Sequence, residues 1–220
     1  KFIWIDHHYS AINEATGSNF HTNGIIKEGV AGCVLSWLYF FPEKAVPLGV
    51  NLIGKFDVWN IDNENVKQFH YGVDLIKKSP IDPIWKKIFN NDKKTIDNII
   101  DDGKIVETYI KKSNIESAEK YGITISVGDY TAFLINDYVD LDYIIEAGIY
   151  KKEVHDFLMV FKKLRHGWKF SLRSASDEID VSTISKSFKG GGHKRAAGFT
   201  ISDEHFIGKL VKGRTIIKKT

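Results

Sequence analysis

Four apolar residues in a row, Phe2-Ile3-Trp4-Ile5, run directly into Asp6-His7-His8. A short continuous apolar run without alternation is the pattern of a strand buried on both faces of a parallel sheet, not of a strand with one wet face. Such a strand needs neighbours on both sides, because unpaired edges invite association. The chain opens inside this segment and its only methionine is Met159, so further residues are expected upstream. In open α/β sheets ligands gather beyond the carboxyl ends of the strands, which is where Asp6, His7 and His8 fall. A carboxylate and two imidazoles are oxygen and nitrogen donors that Mn²⁺, Mg²⁺, Fe²⁺ or Zn²⁺ accept. Taken alone, the same three residues also fit a capped strand end followed by a turn.

Near the other end, the stretch from Phe188 to Phe199 reads Phe-Lys-Gly-Gly-Gly-His-Lys-Arg-Ala-Ala-Gly-Phe. Glycines such as Gly190, Gly191 and Gly192 reach backbone angles closed to other residues and let main-chain N–H groups approach an anion. His193, Lys194 and Arg195 add charge-assisted donors. A lone triple glycine is ordinarily a flexible turn. Together, however, the two motifs strongly resemble the DHH phosphoesterase superfamily with its DHH-associated C-terminal domain, whose branches include oligoribonucleases, bisphosphate nucleotidases and RecJ-like nucleases. The resemblance extends over nearly the whole chain, and the glycine-rich motif is the more specific of the two.

The implied fold class is α/β: the C-terminal portion of a parallel-sheet DHH domain at residues 1–92, a helical connector at 93–120, and a smaller α+β substrate-binding domain at 121–220. The residue patterns agree with that division. Residues 9–27 are polar and without periodicity, and read as a loop. Gly29 to Phe41 carries Val30, Cys33, Val34, Trp37, Leu38 and Phe41 at helical spacing, closed by Pro42. Cys33 lies on that apolar stripe and reads as core rather than as a reactive thiol. Short helices are expected over 47–54 and 63–78, the second ended by Pro80 and Pro83. A longer one over 95–112 is expected to be interrupted by Gly103. From Tyr121 the period changes to two. Residues 123–127 and 130–135 form a hairpin about Gly128-Asp129, and 157–161 pairs with 168–173. On the last strand Trp168, Phe170 and Leu172 share one face, which sends Lys169, Ser171 and Arg173 to the other. A short helix at 141–148 and another capped by Asp180 complete the pattern.

Composition narrows the function classes. The 220 residues are 43% hydrophobic and 27% charged, ordinary for a globular protein with room for one large or two small domains. A single cysteine excludes an internal disulfide and fits a reducing compartment, with cytoplasm as the default. No apolar stretch is long enough to span a bilayer. The net charge of +3 is too mild for a protein that coats DNA, but cations from Lys162 to Arg195 crowd the last third, where a phosphate-bearing partner would find them.

Asp57 stands between large apolar residues in Phe56-Asp57-Val58-Trp59, a costly place for a carboxylate unless something cationic meets it. The plain alternative is that it caps the helix that follows. In the resembled family an aspartate in an Asp-X-Trp context is a metal ligand, which makes Asp57 the counterpart here. By the same resemblance His7 is a direct ligand, Asp6 a ligand or the orienter of its neighbour, and His8 the residue that contacts the reacting phosphate or assists the leaving group. Arg173 and Ser174 resemble the substrate grip of the second domain, and Gly190, Gly191, Gly192 and His193 its phosphate-binding loop. The implied cofactor is a pair of Mn²⁺ ions, with Mg²⁺ or another divalent cation also admitted. They would acidify a water and clamp the oxygens of an in-line displacement. The implied partner is a short oligonucleotide or small phosphorylated nucleotide, with no membrane and with a homodimer allowed. One departure matters. The family's amino-terminal cluster of Asp and His is not in this sequence, and Asp6, His7 and Asp57 cannot alone fill two cations that each want about six donors. These 220 residues are therefore expected to turn over little by themselves, and a nucleotide- or RNA-binding protein that keeps the fold without catalysis is the alternative.

Overall fold

The apolar start forms β1 (Ile3–Asp6), which pairs in parallel with β2 (Asn23–Ile26), Ile3 opposite Asn23 and Asp6 opposite Ile26. The computed structural model describes residues 2–8, 12, 17, 23–76, 79–203 and 218–219. Two expectations are corrected here. Residues 23–26 lie in the stretch whose polarity and lack of periodicity predict a loop, yet they form a strand, and Gly24 (φ 148°) lets β2 close on β1: a Cβ on it would lie 1.8 Å from the Trp4 carbonyl oxygen. Among the described residues β1 is also half-exposed rather than buried on both faces, with Ile3 39% exposed.

The chain divides into two compact units, Lys1–Tyr109 and Ile110–Thr220. In the first, β2 is followed by α1 (Gly32–Phe40), α2 (Leu48–Asp57), α3 (Glu64–Asp74) and α4 (Pro83–Phe89). Helix α4 was not anticipated. Pro83 looked like a terminator, but it occupies the first turn, where its missing N–H costs nothing, and Asp82 caps the helix by accepting from the Ile84 N–H. The core is Leu52, Val66, Phe69, Val73, Ile88, Ile96 and Ile99. No residue of the expected apolar stripe is buried: Val34 and Trp37 are half-buried and Leu38 and Phe41 exposed, while the one buried residue of α1 is Leu35, off that stripe. Cys33 is exposed as a residue and lies outside the core, but its thiol is turned inward, partly buried and directed at the Val50 carbonyl. Burial of the sulfur and the nearby Asp57 charge push that thiol's pKa up, so it is no reactive thiolate.

Helix α5 (Lys93–Tyr121) runs unbroken through Gly103. That glycine is a crossing point. A Cβ there would sit 1.7 Å from the Gln68 carbonyl oxygen, and one on Gly72 would sit 1.9 Å from that of Ile99, so α3 and α5 pack backbone to backbone. No described helix is long and apolar enough to cross a membrane.

The second unit is built on one mixed sheet in the order β7-β8-β6-β5-β4-β3-β9. Its strands are β3 (Ile123–Val127), β4 (Tyr130–Ile135), β5 (Phe157–Leu164), β6 (Gly167–Arg173), β7 (Gly191–His193), β8 (Ala196–Ile201) and β9 (Lys218–Lys219). The β4–β5 pair is parallel and is bridged by α6 (Leu141–Glu146), while α7 (Val181–Ser187) lies between β6 and β7. Alternation sorts the strand residues into two faces. Ile125, Leu134, Phe157, Met159, Phe170, Leu172 and Phe199 pack on one with Val181 of α7. Phe133, Ile135, Leu158 and Val160 pack on the other with Ile144 of α6 and Ala118 of α5. The second set of helices covers only the β4–β5 half of its face, so Arg173 and Lys169 of β6 remain exposed there.

Candidate active site

At the carboxyl end of β1 the three polar residues take different tasks. Asp6 turns one carboxylate oxygen back on its own chain, accepting from the His7 N–H (2.7 Å), the His8 N–H (3.0 Å) and His8 Nδ1 (2.8 Å), while the Trp4 indole N–H reaches the other oxygen at 3.4 Å. The His8 main-chain and ring hydrogen bonds hold the Asp6 carboxyl far below the ordinary carboxylate range. An ionised Asp6 accepts from Nδ1–H of His8, which leaves Nε2 to accept a proton in the neutral ring or to donate one in the imidazolium. Because His8 is largely exposed, that nitrogen is accessible.

His7 points elsewhere. Its Nε2 lies 3.3 Å from Asp57 Oδ2, with the imidazole side chain 18% exposed. Asp57 is the last residue of α2, and α3 begins after Asn63, so Asp57 caps no helix. A carboxylate at the negative end of a helix is disfavoured by the helix dipole, and the imidazole beside it offsets that cost. Gly54 makes the approach feasible: a Cβ there would meet Val34 at 2.5 Å and Ala31 at 3.3 Å, so its absence lets the start of α1 lie on α2. Gly32 at the head of α1 lies alongside the His7 ring. Sequence reasoning proposed Asp6, His7 and Asp57 as metal ligands; the fold brings His7 and Asp57 together and gives Asp6 the orienting task. Among the described residues no group of three or more His, Cys, Asp or Glu side chains is placed to hold a metal ion. His7 and Asp57 suit a divalent cation as donors, but the described residues do not by themselves fit a two-cation centre.

In the second unit, the register puts Arg173 opposite Ala196, and Ala196 opposite His193. Residues directly opposite on neighbouring strands share a face, so Arg173 and His193 flank Ala196 on one exposed edge. Arg173 donates to the Leu172 carbonyl and has no carboxylate partner among the described residues. The glycine motif is a hairpin: Gly191–His193 is an edge strand, and Lys194-Arg195 is the two-residue turn that joins it to β8. Gly190 and Gly192 are required by packing, since a Cβ on Gly190 would lie 2.3 Å from the Gly198 carbonyl oxygen and one on Gly192 2.5 Å from that of Ala196. The turn is anchored by Ser174 and Val181, whose N–H groups donate to the Arg195 and Lys194 carbonyls.

Two predicted substrate contacts have other duties in this structure. The Arg195 guanidinium forms a two-pronged pair with Asp177, at 2.7 and 2.6 Å, and holds that carboxyl below its ordinary range. Ser174 is buried, with its hydroxyl donating to the Ser176 carbonyl. The sequence also offered no sign of Ser185, fully buried on α7, whose hydroxyl donates to the Gly198 carbonyl of β8 at 2.6 Å and lies 3.4 Å from the Gly191 carbonyl of β7. A serine among Ser182, Thr183 and Ser187 carries no mark that separates it from them.

Comparison with known families matches residues 139–213 to the DHHA1 domain. The match takes in Arg173, Ser174 and the stretch from Gly190 to Arg195, and bears out the family resemblance read from the sequence. Among curated proteins the chain is 27% identical over 237 residues to the oligoribonuclease NrnB of Bacillus subtilis, covering 93% of this chain and 54% of that one. It is 24% identical over 223 residues to an uncharacterised protein of Acanthamoeba polyphaga mimivirus, covering 91% and 48%. The chain thus spans about half the length of these relatives. A solved structure titled as the pGpG-specific phosphodiesterase PggH of Vibrio cholerae aligns at 15% identity and a TM-score of 0.44, covering 95% of this chain and 86% of that one.

Proposed function

We propose that the protein to which these residues belong is a metal-dependent phosphoesterase of the cytoplasm that hydrolyses short oligonucleotides or small phosphorylated nucleotides. The observation that carries the reading is the approach of His7 Nε2 to Asp57 Oδ2 at the end of β1, two unlike donors from distant parts of the chain meeting where an α/β sheet presents its ligands. The oligoribonuclease activity named for the Bacillus relative supports the substrate class. His7 and Asp57 would donate to a divalent cation, Mn²⁺ or Mg²⁺, which when bound supplies charge neutralisation and an acidified water. The remaining donors that two such cations need would come from beyond the described residues. His8, oriented through Nδ1 by Asp6, would hold a proton at Nε2 for the leaving oxygen. Arg173 and His193 would bind the phosphate through charge-assisted hydrogen bonds.

The test is phosphate or nucleotide release by the full-length protein, with and without Mn²⁺, from a panel of dinucleotides, adenosine bisphosphate, polyphosphate and cyclic dinucleotides. Mn²⁺-dependent release from the dinucleotides is expected. Metal-independent binding with no release from any of them would replace the enzyme by a nucleotide-binding protein of the same fold.

A further inference from the structure

Gly191 is the glycine of the motif that the fold does not need. Its φ lies outside the positive region, and a Cβ placed on it would find nothing within 4 Å, whereas Gly190 and Gly192 are each blocked by backbone at 2.3 and 2.5 Å. It is exposed on β7, opposite Gly198 of β8, which in turn is opposite Ser171 of β6. Three strands therefore contribute a row of small residues, Gly191, Gly198 and Ser171, on the part of the sheet face that no described helix covers. On one side of this row lie Arg173, Ala196 and His193. On the other lie Lys169 and Thr200, opposite each other, with Lys162 of β5 across from Lys169. Lys162 is 3.8 Å from Asp137, while Lys169 has no carboxylate partner among the described residues.

We infer that this face is an extended binding track for a phosphodiester chain: one phosphate at Arg173 and His193, the backbone crossing the small-residue floor at Gly191, and a further phosphate at Lys169. This rests on the nucleotide reading above and deepens it to substrates longer than a mononucleotide. Alternate residues of a strand are about 6.8 Å apart, so Lys169 stands about 13.6 Å from Arg173 along β6. A single phosphate cannot occupy both ends; an oligonucleotide can. A side chain at Gly191 would rise into that path, which accounts for a glycine that backbone and packing leave unexplained. Lysine serves there as a point charge on a flexible stem, suited to a second phosphate whose position varies with the sugar.

The experiment compares binding by the full-length protein, in the absence of metal, of adenosine monophosphate, a 5′-phosphorylated diadenylate and a 5′-phosphorylated triadenylate. Calorimetry would be run on the wild type, Lys169→Ala and Gly191→Ala, with thermal melting recorded for each. In the wild type, affinity is expected to rise with length. Lys169→Ala should lower triadenylate affinity about fivefold to tenfold, flatten the salt dependence of its binding by roughly one unit of slope, and leave the mononucleotide unchanged. Gly191→Ala should melt as the wild type does but bind the longer ligands at least fivefold more weakly. Unchanged length dependence in Lys169→Ala, or wild-type binding by Gly191→Ala, overturns the track while leaving the phosphoesterase reading in place. Failure of the wild type to bind any of the three overturns both.

Discussion

Lys151 donates its backbone N–H to Nδ1 of the buried His155 at 3.0 Å, which leaves the ring proton on Nε2, 3.0 Å from Thr124 Oγ1. Tyr150 donates its hydroxyl to the His155 carbonyl, so the residue is held at three points. Burial lowers the imidazole pKa from its ordinary 6.5. With the folded value depressed, the unfolded chain takes up the proton first as pH falls. The stabilisation is therefore complete above about 6.5 and is lost as pH drops through that value towards the folded pKa. Urea unfolding at pH 7.5 and at pH 5 should show this loss, and His155→Gln should show a smaller difference between the two. Asp57 allows a separate test of function against stability. As the final residue of α2 it opposes the helix dipole, so Asp57→Asn should leave the melting temperature unchanged or slightly raised. If Asp57 is a direct ligand, Mn²⁺-dependent turnover by the full-length protein should fall by more than the roughly 10–100-fold typical of an outer-shell partner.

Helix α5 shows what an element can hide. Gly103 looked like an interruption because glycine costs about 1 kcal/mol in a helix interior, but the close crossing with α3 requires that no side chain intervene. Gly72→Ala or Gly103→Ala should consequently destabilise the first unit, although alanine is the better helix former. Overpacking of this kind typically costs about 1–3 kcal/mol, and a backbone collision belongs at the upper end, measurable as a drop in urea midpoint. The glycine strand is governed by a similar hidden contact. Ser185→Ala would leave the Gly198 carbonyl without its side-chain donor inside the sheet edge, at a cost of about 1–3 kcal/mol. Amide exchange should then quicken selectively in β7 and β8. Strands β3 to β6 were legible from their period because alternating burial writes itself into residue choice. Helix α4 and strand β2 were not, since Pro83 and Gly24 are breakers in most contexts and are accommodated here by a first-turn position and a close strand approach.

At the scale of the molecule, the three core clusters among the described residues each fall within one unit, and α5 continues from the first unit into the second at Tyr109 and Ile110. Tyr109 is exposed, so Tyr109→Pro breaks the helix without removing any packed side chain. It should cost about 3 kcal/mol of helix stability and split unfolding into two transitions by circular dichroism, with each core retained. The sequence alone determined the α/β class, the change of period at Tyr121, the hairpin strands and the residue types at both motifs, because burial and turn geometry act locally on residue choice. It also marked Asp57 as a carboxylate in need of a partner. That the partner is His7, that Asp6 serves His8, that Arg195 is held by Asp177, and that only one glycine of three is unconstrained were decided by tertiary structure. Each depends on which atoms meet across gaps of tens of residues, and neither the identity of a residue nor its spacing along the chain records that meeting.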